Sequence, residues 1–275
     1  MNRNKLAFIM AVLCLFSLRV LQAAPEAELI PFWNKSDENN EKQIDHSAWQ
    51  TILEQYVHAD HPSGVNLFNY QELKHNKADQ DTLEAYLTQL QALDPRSYTQ
   101  AVQKAYWINL YNALTVDLII EHYPVKSIKK IGGLFSFGPW DESIATVAGQ
   151  KLTLNNIEHG ILRPIWQDNR IHYAVNCASY SCPNLAAQAY RADNTEQLLN
   201  QGAQAYVNHQ RGVEFMDDDY LVLSSIYDWY QIDFGGSEAA VLKHLRQYAQ
   251  PKRAQRLKHF DGSIDYEYDW RLNEP

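Results

Sequence analysis

Cys177 and Cys182 enclose Ala178-Ser179-Tyr180-Ser181, and Pro183 comes directly after, so a thiol pair sits in a short run of small and hydroxyl residues. A cysteine becomes a nucleophile when its surroundings favour the thiolate, and the nearest upstream histidine with an acidic neighbour is His159, beside Glu158. This set suits attack on a small amide or peptide: Cys177 attacks the carbonyl, His159 moves protons, and Glu158 or Asn112 holds the imidazole. Asn109, Asn176 and Ser179 are the candidate substrate-binding residues. The same two cysteines can instead close a small loop as a structural Cys177 to Cys182 disulfide, the ordinary fate of an even pair in an oxidising compartment. Their four intervening residues differ from the two-residue gap of thioredoxin-type motifs, which disfavours a redox-active pair.

Other chemistry is less well supplied. His58 and His61 flank Asp60 inside a Pro/Gly turn with no defined third ligand, and Asp217 to Asp219 lacks the remaining ligands of a calcium loop, so no metal site is expected. No Gly-x-Ser-x-Gly, phosphate-binding loop or dinucleotide fingerprint occurs, and no cofactor is expected.

The elements that must position these residues can be read from periodicity. Trp49, Ile52, Leu53 and Tyr56 recur at helical spacing, as do Leu83, Tyr86, Leu87 and Leu90. Ser97 to His122 is the longest helical pattern and is apolar nearly all round, which places it in the centre of the protein; it carries Asn109 and Asn112 on one face, where each needs a partner if buried. Ile144 to Leu154 reads as a hairpin turning at Gly149-Gln150. Asn155 and Glu158 form a capping-box pattern opening the helix of His159. Ile171 to Cys177 alternates as a strand. A hairpin around Asp217 to Asp219, helices at Ser225 to Gln231 and Glu238 to Tyr248, and a strand over Ile264 to Trp270 complete the chain. No repeat or linker interrupts them. The expected fold is α+β, one domain with a central buried helix packed on a small, largely antiparallel sheet.

Composition bounds the partners. The 275 residues carry 24 Lys plus Arg against 33 Asp plus Glu, with 45% hydrophobic residues and 3 Cys, which disfavours a disordered chain, a disulfide miniprotein and a nucleic-acid binder. Residues 1–24 begin with Arg3 and Lys5, run through apolar Leu6 to Leu18 and end in Ala23-Ala24, the layout of a secretory signal peptide. Its removal takes away Arg3, Lys5 and Arg19 and no acid, leaving 21 basic against 33 acidic residues, a balance of −12, and leaving Cys177 and Cys182 as the remaining cysteines. The expected product is periplasmic or secreted, without stable membrane insertion. Residues 25–46 read as a flexible acidic lead-in, with order beginning near Ser47.

Six pieces together resemble one family: Val65 to Tyr70, Ala105 to Ala113, Ile157 to Arg163, His172 to Ser179 with Cys182-Pro183, Trp229 to Gly235, and Tyr268 to Asn273. The chain resembles the domain of unknown function 547 family over 47–273. The resemblance implies a single domain that unites both ends of that range, and it favours a site at His159, Cys177 and Asn112. Its name records no established activity. The expected function is therefore a thiol-dependent hydrolase acting on a small-molecule or peptide ligand. The competing expectation is a non-catalytic envelope binding or assembly module, with Cys177 to Cys182 as a disulfide and the aromatic loop Phe135 to Trp140 as its contact surface.

Overall fold

In a computed structural model that describes residues 25–132 and 138–275, α1 (Ser47–Tyr56) buries Trp49, Ile52, Leu53 and Tyr56, the stripe predicted from their spacing. The leader expected over residues 1–24 lies outside the described residues, as does the part of the aromatic loop at 133–137. A two-residue ladder pairs β1 (Val57–His58) with β2 (Leu67–Phe68). Two helices come next, α2 (Tyr70–His75) and α3 (Lys77–Gln91), each opened by an asparagine whose side chain accepts a backbone N–H of the first turn: Asn69 from Glu72, Asn76 from Asp79. Beyond them α4 (Gln100–His122) is capped by Thr99 and buried nearly throughout, polar Gln103, Lys104, Asn109, Asn112 and Thr115 included.

The hairpin β3 (Ala145–Val147) and β4 (Gln150–Leu152) turns at Ala148-Gly149, one residue earlier than expected. The chain then runs through a π-helical turn, Asn156–Leu162, into α5 (Arg163–Trp166), and on to α6 (Thr195–Val207). Antiparallel β5 (Val213–Phe215) and β6 (Tyr220–Ser224) enclose the acidic tip, and α7 (Ile226–Trp229), α8 (Glu238–Tyr248) and α9 (Pro251–His259) lead to β7 (Ser263–Glu267), which pairs parallel to β6. The fold is α+β. The flanks of α4 are covered mainly by α2, α3, α6 and the π-turn and not, as expected, by the sheet, whose three strands belong to a second apolar cluster with Tyr206, Tyr227, Val241 and Leu245.

Two expectations need correction. Ile171 to Cys177 is no strand: Asn169–Tyr173 is a 3-10 turn capped by Asp168, and the chain then continues irregularly. Residues 171–176 are buried on every side, so the apolar alternation there reported burial and not a pleat. The acidic segment 25–46 is not a loose lead-in. Trp33 is 1% exposed, set edge-on against Trp107 with ring centroids 4.9 Å apart, and the segment crosses the π-turn as a strap. One large aromatic side chain buries enough area to order a polar segment around it.

The capping box expected at Asn155 sits two residues earlier. Thr153 Oγ1 accepts the Asn156 N–H at 3.0 Å and Asn156 Oδ1 accepts the Thr153 N–H at 3.1 Å. Replacing Thr153 by alanine is expected to cost about 1 kcal/mol, read as a lower urea midpoint.

Acid is expected to weaken the fold through two histidines. His46 lies 2.7 Å from the Tyr86 hydroxyl and His244 lies 2.8 Å from that of Tyr173; burial pushes each imidazole down to about 4. Because the folded value is below the unfolded one, the unfolded chain takes up protons first. Their stabilisation is present above about pH 6.5 and is lost as pH falls towards 4, by about 2 kcal/mol per histidine at pH 5. Urea unfolding at pH 7 and pH 5 measures the drop.

Candidate active site

The π-turn owes its shape to Pro164. Proline has no N–H to give to the carbonyl of Gly160 or His159, and the strap supplies the missing donors: the Ile30 N–H donates to Gly160 at 2.9 Å and the Glu28 N–H to His159 at 3.0 Å. Gly160 makes the approach possible, since a Cβ there would come within 2.5 Å of Ile30 Cδ1. The Arg163 N–H instead bonds the Glu158 carbonyl, five residues back. That wider turn places Glu158, His159 and Arg163 together on the inner face.

A charge network forms around them. Arg163 Nε donates to Asp233 Oδ2 at 2.6 Å, and its Nη1 donates to the Pro25 carbonyl at 2.7 Å and to His159 Nδ1 at 2.9 Å. His172 Nε2 donates to Asp233 Oδ2 at 2.7 Å, while its Nδ1 lies 3.7 Å from Glu158 Oε1, so both ring nitrogens face carboxylates. The Tyr230 ring stacks on His172 with centroids 4.1 Å apart, and the Arg163 guanidinium lies 5.0 Å from the same ring.

These contacts set protonation. Burial works to raise Glu158, but His159, His172 and Arg163 outweigh it and bring the carboxyl down to about 2. Burial opposes Asp233 too, and the bonds from His172 and Arg163 hold it well below the usual carboxylate range. For His159, burial lowers the pKa, Glu158 pulls it up and Arg163 pushes it down again; the net direction is down. A guanidinium only donates, so His159 Nδ1 must accept and Nε2 carries the ring proton.

The second half of the site is the cysteine loop. Asn112 Nδ2 donates to the Ala174 carbonyl at 2.9 Å and its Oδ1 accepts the Asn176 N–H at 2.8 Å, tying α4 to the loop. Asn176 in turn accepts the Ala178 N–H at 2.8 Å and donates to the Pro183 carbonyl at 2.7 Å. Between them Ala178 holds a φ of 57°, a left-handed conformation that a residue with a Cβ adopts rarely. The C-terminal segment locks the other side through Tyr180 N–H to the Arg271 carbonyl and Asn273 N–H to that of Ala178.

Here the partly exposed Cys177 Sγ lies 3.0 Å from Cys182 Sγ, 3.1 Å from Ser179 Oγ and 3.1 Å from the Tyr268 hydroxyl. The thiols are unbonded at that separation, against about 2.05 Å in a disulfide. The hydrogen bond between the two sulfurs lowers the Cys177 pKa against the effect of burial, with Ser179 and Tyr268 adding to it; burial and the neighbouring sulfur push Cys182 up. Cys177 is thus the more acidic of the two thiols, and the Cys177 backbone N–H donates to Cys182 Sγ at 2.9 Å.

Both halves line one cleft of about 540 Å³, shared by Glu158, His159, His172, Cys177 and Cys182 and walled by Trp229, Tyr230, Tyr268 and Trp270. Glu158, His159 and Cys177 thus line the same cleft. Asn112, Asn109 and Asn176 are not among the residues that line the cleft: Asn109 is spent on both backbone groups of Tyr190, and Asn112 holds the cysteine loop where an imidazole partner was expected. Ser179 Oγ touches Cys177 Sγ. Arg163, His172, Asp233, Tyr230 and Tyr268 were missed by sequence reasoning; Pro164, ending a helical pattern just after Glu158-His159, was the signal for an irregular turn. Among the described residues, no group of three His, Cys, Asp or Glu side chains is arranged to hold a metal ion, and no helix is long and apolar enough to cross a membrane.

Residues 95–207 match the family model described as Protein of unknown function, DUF547. No curated protein and no solved structure matches the chain. The matched segment contains Glu158, His159, Arg163, His172 and both cysteines, whereas Tyr230, Asp233 and Tyr268 are contributed from beyond it.

Proposed function

Residues 95–207 belong to the DUF547 family, whose description assigns no function, and from that premise we propose a thiol-dependent hydrolase that acts on a small amide or peptide and is exported to the periplasm or beyond. The observation that carries this reading is Cys177 Sγ facing a cleft, with three polar groups within 3.1 Å and His159 lining the same cleft. In this scheme the Cys177 thiolate attacks the carbonyl carbon. His159 donates a hydrogen bond from Nε2 to the carbonyl oxygen as its charge grows, a neutral imidazole acting as an electrophile. Arg163 fixes that tautomer, the part expected of Glu158 or Asn112. Once sulfur bonds carbon it releases its donors, and Tyr268 supplies the proton for the leaving nitrogen. Water then adds to the thioester, one of its protons returns to the Tyr268 oxygen, and the acid leaves with Cys177 again a thiolate.

The test is covalent capture. Peptide thioesters and activated amides are added to the reduced protein, which is quenched in acid and digested. An acyl group on the Cys177 peptide is the expected result, and its absence across the panel with the thiol free would end the proposal.

A second reading, a non-catalytic envelope binding or assembly module with a structural Cys177 to Cys182 disulfide, draws support from the same short sulfur separation. It expects no free thiol in protein purified without reductant and no acyl adduct after reduction.

A further inference from the structure

We propose that Cys177 and Cys182 form an exchange-active dithiol that reduces small, peptide-like disulfides entering the cleft. The inference shares the Cys177 nucleophile with the proposed hydrolase and is otherwise independent of amide cleavage. The sequence spacing argued against a redox pair, but exchange depends on where the sulfurs lie. The loop held by Asn176 and the left-handed Ala178 folds back on itself and brings them within 3.0 Å, about 1 Å from bonding. The two are also unequal in access. Cys177 is partly exposed to the cleft, whereas Cys182 is 4% exposed behind it. An outer attacking thiolate backed by an inner thiol is the arrangement that exchange requires.

The steps balance. Cys177 thiolate attacks one sulfur of RS–SR, forming Cys177–S–S–R and expelling RS⁻. The Cys182 proton passes to that RS⁻ as the Cys182 sulfur attacks Cys177, forming the intramolecular disulfide and expelling a second RS⁻, which takes a proton from water. The protein dithiol loses two electrons and the substrate disulfide gains them. Tyr268 and Trp270, which line the cleft, suit sulfur and its carbon stems, and Lys129, which also lines it 4.9 Å from the Trp270 ring centre, offers a charge to a substrate carboxylate.

Glutathione disulfide and cystamine serve as anionic and cationic probes. With either, the reduced wild-type protein is expected to end as the Cys177–Cys182 disulfide with two equivalents of small thiol released. A Cys182→Ser variant should stall with one probe half on Cys177, and Cys177→Ser should capture none. Wild-type protein that stays dithiol with both probes, or an adduct on Cys182 in place of Cys177, would overturn the proposal. The wild-type arm needs no variant to fold. Exchange without an acyl adduct removes the hydrolase alone; an acyl adduct without exchange removes the dithiol activity alone.

Discussion

Replacing Cys177 by alanine is expected to lower turnover of any amide or thioester substrate by at least about 10³-fold, the scale on which loss of a covalent nucleophile is felt. Cys177→Ser should be as inactive. Its three side-chain contacts are Cys182, Ser179 and Tyr268, which can stabilise a thiolate but cannot deprotonate a hydroxyl. A Cys–His pair with an imidazole bonded to sulfur would behave differently, because the base could activate serine as well. Stability should change by less than about 1 kcal/mol, since Ser179 and Tyr268 stay bonded to each other at 2.9 Å and the site opens to water. Steady-state kinetics beside urea unfolding separates the two effects. A serine variant with more than about a tenth of wild-type turnover would show that a base acts on residue 177.

Arg163→Met is expected to destabilise the protein by about 3 to 5 kcal/mol, the cost of stripping the partner from a buried charge. The Arg163 side chain is 3% exposed and serves Asp233, His159 Nδ1 and the Pro25 carbonyl at once, so three acceptors lose a donor. Removing the guanidinium also frees His159 Nδ1 to take a proton, so the ring's pKa should rise and its tautomer should no longer be fixed. Urea unfolding measures the first effect and the His159 ring resonances across pH the second. A loss below about 1 kcal/mol with an unchanged histidine titration would mean that the network does not hold the site together.

Much of the scaffold was legible because its local and global signals agree. The all-round apolar face of 105–120 reads as a buried helix, and Gly149 and the acidic tip at 217–219 mark true hairpins. The site was half legible. Glu158, His159 and Cys177 stand out by chemistry, but His172 pairs with Asp233 across 61 positions, and no spacing rule carries such a contact. The strap failed for a related reason: its acidic composition suggested disorder, whereas Trp33 and two backbone N–H groups find partners created by Trp107 and Pro164 far along the chain. Asn109 and Asn112 stand out as amides on an apolar helix, and their partners are backbone groups, the commonest resolution for buried amides.

The central claim is that Cys177 is the acidic, accessible thiol of the pair and Cys182 is not. Alkylation of the reduced, folded protein by iodoacetamide between pH 5 and 9, with peptide mapping of each cysteine, tests it most directly. Cys177 should be labelled first, with a midpoint clearly below the ordinary thiol value of about 8.5, and Cys182 only after denaturation. Equal labelling of both thiols, or a Cys177 midpoint at or above that ordinary value, would contradict the account.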